Sequence, residues 1–284
     1  MIVKLSKLRS LFPFSFFITG ITGRERYPSF SGGFGDIYRA SYQSRPVAVK
    51  QLRYFENVVF NMPEFFRETL VWKDLVHPYI LPFLGIDLDN FPDHLCLVSP
   101  WMENGTVLSY LENHGHSNVD KLLYEVAQGV LYLHSRNYVH GDLRGANILI
   151  NPDQSACLAD FGLSVISEVT LTGSSSRAGS IYWMAPELID PDRLGGKFTR
   201  TPQSDVYAFG CVCVELYTGR PPFKDLSEPA ALFQIVSGAR PERPHGMSDK
   251  LWECVNRYWV DDPAARPAIE AVVQNMIWPA REPA

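Results

Sequence analysis

Residues 140–147 read His140-Gly141-Asp142-Leu143-Arg144-Gly145-Ala146-Asn147, and residues 160–162 read Asp160-Phe161-Gly162. Between them lie two short apolar runs, 147–150 and 156–159, which read as strands. Upstream, Leu122, Leu123, Val126, Val130, Leu131 and Leu133 recur at helical spacing and predict one long amphipathic helix ending near Arg136. Downstream, Ala185-Pro186-Glu187 closes a segment rich in Ser and Thr. The stretch 206–214 is apolar on every side, so its helix should be buried all round, and it is too short to cross a bilayer.

Working towards the N-terminus, the pattern changes to strand and turn. Gly32-Gly33-Phe34-Gly35 punctuates two short apolar stretches, as a hairpin would. Glycine there lets backbone N–H groups approach phosphate oxygens, although glycine-rich hairpins are usually only hairpins. No Gly-Lys-Ser/Thr follows, which excludes a Walker loop. Lys50 ends Val47-Ala48-Val49-Lys50, and a lysine in an apolar strand must face water or pair. Glu68 falls on the apolar face of a helix expected over 61–76, beside Phe65, Trp72 and Leu75. Either Lys50 and Glu68 neutralise each other, or both are solvated charges. Further strand-like runs are 80–88 and 94–100. A small β-rich half and a larger helical half predict an α+β chain of two lobes with a ligand cleft between them.

Composition narrows the function classes. The 284 residues weigh 32.1 kDa, 46% are apolar, and 26 Lys+Arg stand against 31 Asp+Glu, a net charge of −5. That is a well-cored globular chain, and its mild acidity argues against a nucleic-acid partner. Five scattered cysteines, with no C-x-x-C pair, predict a reducing, cytoplasmic setting rather than a disulfide framework. Residues 1–22 carry Lys4, Lys7 and Arg9 ahead of an apolar, aromatic run, which superficially resembles a leader. Pro13 and Gly20 interrupt that run, it is too short to span a membrane, and no small-x-small cleavage site follows. The favoured reading is an N-terminal extension packed on, or trailing from, the domain; targeting or membrane association is the lesser one.

Taken in order, the glycine loop, the VAVK strand, the helical Glu, H-x-D-L-x-x-x-N, DFG and APE resemble the protein kinase catalytic domain. The resemblance covers residues 23–278, with an N-lobe over 23–99 containing one main helix, a hinge over 100–105, a helical C-lobe over 106–278 and a tail over 279–284. Ser204-Asp205-Val206-Tyr207, Gly219-Arg220-Pro221-Pro222-Phe223 and Arg266-Pro267 fit the same family. It implies ATP and Mg²⁺ as cofactors and a protein as substrate. Lys50, fixed by Glu68, would hold the α- and β-phosphates. Asp142 would accept or orient the substrate hydroxyl, and Arg144 would steady the transferring charge. Asn147 and Asp160 would bind Mg²⁺, hard oxygens for a hard cation. Gly32, Gly33, Phe34 and Gly35 would cover the phosphates. Ile37, Ala48 and Leu149 would sandwich adenine. The Pro100 carbonyl and the Met102 N–H would pair with its edge, and Ser99, a small gatekeeper, would leave an open back pocket. Glu187 and Arg266 would form a buried ion pair.

Two positions depart from the pattern. Phe30 occupies the place of the first loop glycine, which implies weaker ATP binding or a stiffer loop. Gly141 replaces the Arg of H-R-D, which implies activity not gated by phosphorylation at Thr170, Thr172, Ser174, Ser175 or Ser176. The D-L-R-G-A-N loop resembles tyrosine kinases, whereas Gly179-Ser180-Ile181-Tyr182-Trp183-Met184-Ala185-Pro186-Glu187 resembles the tyrosine-kinase-like group, most of which phosphorylate Ser and Thr. The reading adopted is a Ser/Thr kinase, with a tyrosine or dual-specificity kinase, a pseudokinase scaffold and a small-molecule kinase as alternatives. Oligomeric state is open.

Overall fold

The structure is a computed structural model that describes residues 13–32, 35–52, 69–70, 72–91, 94–160, 181–192 and 198–276. The described residues divide into two compact units, one of 13–76 and 80–102, the other of 77–79, 103–160 and 181–276. Gly33, Phe34, Glu68, Phe161, Gly162, Ser180 and the hydroxyl-bearing positions 170–176 lie outside the described residues.

The first unit is built on an antiparallel sheet of β1 (Phe30–Gly32), β2 (Gly35–Tyr42), β3 (Arg45–Leu52), β4 (Gly85–Asp87) and β5 (Cys96–Pro100), in the order β1-β2-β3-β5-β4. The period of two along β3 sorts its residues cleanly. Val47 and Val49 enter a core with Ala40, Cys96, Val98 and Ile21, while Ala48 and Lys50 project from the opposite face. Ile37, Lys50 and Leu97 form one cross-strand rung on that opposite face, and Arg39, Ala48 and Ser99 form the next. Gly35 is dictated by packing: a Cβ there would come within 2.2 Å of the Gln51 carbonyl oxygen.

Residues 13–22 belong to this unit. Phe17 bridges Ile86 in parallel along the outer side of β4, and the Ile18 N–H donates to the Ile86 carbonyl (3.0 Å). Thr22 and Ser41 then exchange both backbone hydrogen bonds (2.9 and 2.8 Å) on the flank of β2. Phe16 is buried against Phe83, with the Lys73 ammonium 4.0 Å from its ring centroid and donating to the Ser15 carbonyl (2.9 Å). Lys73 lies in the described part of the expected helix over 61–76, whose helical residues end at 74 rather than 76.

The run expected as a strand over 80–88 is a strand only over Gly85–Asp87. Pro82 has no N–H to donate to a ladder, and 81–84 form an irregular connection instead.

The second unit contains α1 (Val107–His114), α2 (Val119–Ser135), the hairpin β6 (Ile148–Ile150) and β7 (Ala156–Leu158), α3 (Pro186–Ile189), α4 (Pro202–Thr218), α5 (Glu228–Val236), α6 (Asp249–Tyr258) and α7 (Ile269–Asn275). The apolar stripe of α2 packs on β7, α4 and α7, and its C-cap is Arg136. α4 opens with a capping box in which Thr201 and Ser204 satisfy each other's backbone N–H groups, followed by Pro202 at the first helical position. Every residue from Ser204 to Leu216 is buried, so α4 is the central post of this unit, each large apolar side chain contributing about 1.5–3 kcal/mol.

Candidate active site

The loop between α2 and β6 is held from below by two carboxylates of α4. Asp205, 1% exposed, accepts the backbone N–H groups of His140 and Gly141 (both 2.8 Å), while His134 donates to it at 2.9 Å. Gly141 takes φ +76°, where a side chain would be strained, so glycine at this departure from the family pattern suits the backbone the clamp imposes. His140 is fully buried, and burial holds its imidazole below the ordinary value against the pull of Asp205, Asp142 and Asp160. Its Nδ1 accepts the Asp142 N–H at 3.2 Å.

Glu215, one turn before the end of α4, accepts the Gly145 N–H and the Trp183 indole N–H, both at 2.8 Å. Burial pushes its carboxyl from 4.5 up to about 7, while those two donors and the Arg144 charge pull the other way. Glu215 therefore joins the loop to the segment just before α3. Neither its role nor that of Asp205 emerges from motif reading. A signal existed nonetheless: a carboxylate inside a helix buried on all sides must have partners.

These supports fix the functional side chains of the second unit. The Asn147 amide donates to both the Asp142 carbonyl and its Oδ2 (2.8 Å each), and the Arg144 Nε lies 3.6 Å from that same Oδ2. With both amide hydrogens committed, the Asn147 side-chain oxygen Oδ1 is the end that can act as a metal ligand. The Ala159 N–H donates to the Asn147 backbone carbonyl (2.9 Å), so the residue before Asp160 is bonded directly to Asn147. Asp160 has φ +57°, a conformation that a non-glycine residue adopts at a cost. One carboxylate and one amide oxygen suit Mg²⁺, which keeps waters and shares phosphate oxygens instead of requiring an all-protein cage. Among the described residues no cluster of three or more His, Cys, Asp or Glu could hold a metal by itself. Leu149, in β6, is half-buried.

In the first unit, Lys50 is 9% exposed on the face it shares with Ile37, Ala48 and Ser99. Pro100 closes β5, and the next N–H, that of Trp101, donates to the Pro46 carbonyl (3.1 Å). Met102 is the last described residue of this unit. Gly32 pairs with Gly35 at the tip of the first hairpin. The Lys50–Glu68 pairing and the positions of Gly33 and Phe34 fall outside the described residues.

The Glu187–Arg266 pair is present and bidentate, with Nη1–Oε1 2.7 Å and Nη2–Oε2 2.8 Å. Arg266 also donates to the carbonyls of Val260, Gln203 and Asp261 and lies over the Tyr207 ring. All five cysteines are buried thiols, and no helix among the described residues is long and apolar enough to cross a membrane.

The sequence profile of the family described as "protein tyrosine and serine/threonine kinase" matches residues 30–276. Similar proteins include the serine/threonine-protein kinase STY46 of Arabidopsis thaliana, 32% identical over 89% of this chain and 43% of its own. Cell division control protein 7 of Schizosaccharomyces pombe is 34% identical over 83% of this chain and 22% of its own. The serine/threonine/tyrosine-protein kinase HT1 of Arabidopsis thaliana is 30% identical over 86% of this chain and 63% of its own. The chain thus spans less than half the length of the first curated relatives it matches. Motif order, the α+β architecture and the family match agree: the chain belongs to the protein tyrosine and serine/threonine kinase family, in its tyrosine-kinase-like group.

Proposed function

We propose that this chain transfers the γ-phosphoryl group of ATP to a Ser or Thr hydroxyl of a protein substrate. The observation that carries the reading is the fixed Asp142 carboxylate, gripped by Asn147 and set beside Arg144, with the residue before Asp160 bonded to Asn147. Such preorganisation is what phosphoryl transfer asks of a protein, since most of its catalysis is positioning and charge stabilisation. Asp142 orients the incoming hydroxyl and takes its proton as the new P–O bond forms and the β–γ bridge bond breaks, releasing ADP. Arg144 offsets charge on the transferring group. Asn147 and Asp160 would hold Mg²⁺, which when bound would supply charge neutralisation at the phosphates. Lys50 would hold the α- and β-phosphates, with Glu68 as its partner and Gly32, Gly33, Phe34 and Gly35 as the phosphate cover that the motif order implies. Ile37, Ala48 and Leu149 contact adenine, and Ser99, Pro100 and Met102 line its edge.

The Ser/Thr preference is supported by the names of STY46 and CTR1, both serine/threonine-protein kinases. The name of HT1, which includes tyrosine, supports dual specificity as the second reading. Buried free thiols support a reducing, cytoplasmic setting. Incubation with labelled ATP, Mg²⁺ and a peptide library containing Ser, Thr or Tyr is expected to label Ser and Thr peptides. Asp142→Ala should abolish the labelling. Labelling that survives Asp142→Ala, or wild-type protein that labels nothing, overturns the proposal.

A further inference from the structure

Phe30 is the residue that sets this glycine loop apart, and its side chain has a defined place. It pairs across strands with Ile37, which pairs with Lys50, which pairs with Leu97. Cross-strand partners project from the same face, so Phe30 stands on the face that carries Ile37, Ala48, Lys50 and Ser99. Its ring centroid lies 6.1 Å from that of Trp101, with the planes inclined at 32°. Arg39, on the same face, sets its guanidinium carbon 5.5 Å from the Trp101 ring centroid. β1 and the residue following β5 thereby meet across β2 and β3, the two strands between them. Even so, Phe30 remains 55% exposed, an apolar ring kept in water beside half-buried Ile37 and Ala48.

We infer that Phe30 and Trp101 form an aromatic clasp that takes the flat face of the nucleotide's purine, making Phe30 a base-contacting specificity residue of this chain. The inference rests on the reading that this sheet face holds ATP. Every base has a π face, and stacking one on an aromatic side chain raises affinity about tenfold or more. Arg39 adds a guanidinium contact to the same Trp101 ring. The family resemblance implied weaker ATP binding or a stiffer loop from Phe30, whereas a clasp with Trp101 makes its contribution to ATP binding favourable.

Calorimetric titration of the full chain with Mg·ATP and with Mg·tripolyphosphate, which has no base, separates the terms. Phe30→Gly is expected to raise the Kd for ATP about tenfold and to leave that for tripolyphosphate unchanged, while Phe30→Tyr retains wild-type affinity for ATP. Thermal melts of each variant confirm that the protein titrated is folded. Unchanged or tighter ATP binding by Phe30→Gly overturns the clasp. So does a parallel loss of both ligands, which would place the ring's effect on the glycine turn. Wild-type protein that binds neither ligand overturns the underlying ATP reading instead.

Discussion

At the scale of single residues, Glu215 carries a cost that depends on pH. Its carboxyl titrates at about 7 in the folded protein against an ordinary 4.5, so the folded state holds a proton that the unfolded chain has released across that window. Stability contributed at this site therefore falls as pH rises from about 4.5 to about 7, and the deficit is complete above it. Glu215→Gln keeps an oxygen for Gly145 and Trp183 without the charge. Its melting temperature relative to wild type should rise between pH 5 and pH 8; a difference independent of pH would contradict this. Asp205 and Glu215 also mark the limit of residue-level reading. Asp142, Asn147, Lys50 and Asp160 were legible because their chemistry is tied to motif order. The two α4 carboxylates each combine backbone N–H partners with one distant side chain, His134 for Asp205 and Trp183 for Glu215, and a sequence does not show which distant groups meet.

At the scale of elements, the short helix α3 is held chiefly by the Glu187–Arg266 pair, since four residues cannot sustain a helix alone. Arg266 also ties α3 to the first turn of α4 and to the residues after α6 through the carbonyls of Gln203, Val260 and Asp261. Arg266→Ala should destabilise the protein by about 3–5 kcal/mol, because it strands a largely buried carboxylate. A thermal melt and an activity assay should both register it, and an unchanged melt would argue against the pair as an anchor. Where the period is clear the reading held: α2 ends at Ser135 against an expected end near Arg136, and the expected strand over 47–50 lies inside β3. The reading of the run over 80–88 did not hold. Its apolar residues satisfy a core that is partly irregular backbone, and hydrophobicity alone does not distinguish that from a strand.

At the scale of the whole molecule, the sequence shows two halves of different secondary structure, but whether the extension over 1–22 packs on the domain or trails from it is not legible there. The aromatic run within it has neither helical nor strand periodicity, and its contacts, with Ile86, Phe83, Lys73 and Ser41, all lie far along the chain. Phe16 and Ile21 nonetheless count among the buried apolar residues. Removing residues 1–22 should lower the melting temperature, since losing one buried aromatic side chain costs about 3–5 kcal/mol. There is a further consequence. Of the two edge strands of this open sheet, β1 and β4, the segment before Gly23 covers β4 with Phe17 and Ile18, and its Thr22 bonds the stretch of β2 that β1 leaves uncovered. A protein started at Gly23 would leave the β4 carbonyls and amides as a vacant template, so light scattering should find it sticking to copies of itself where the intact chain stays dispersed.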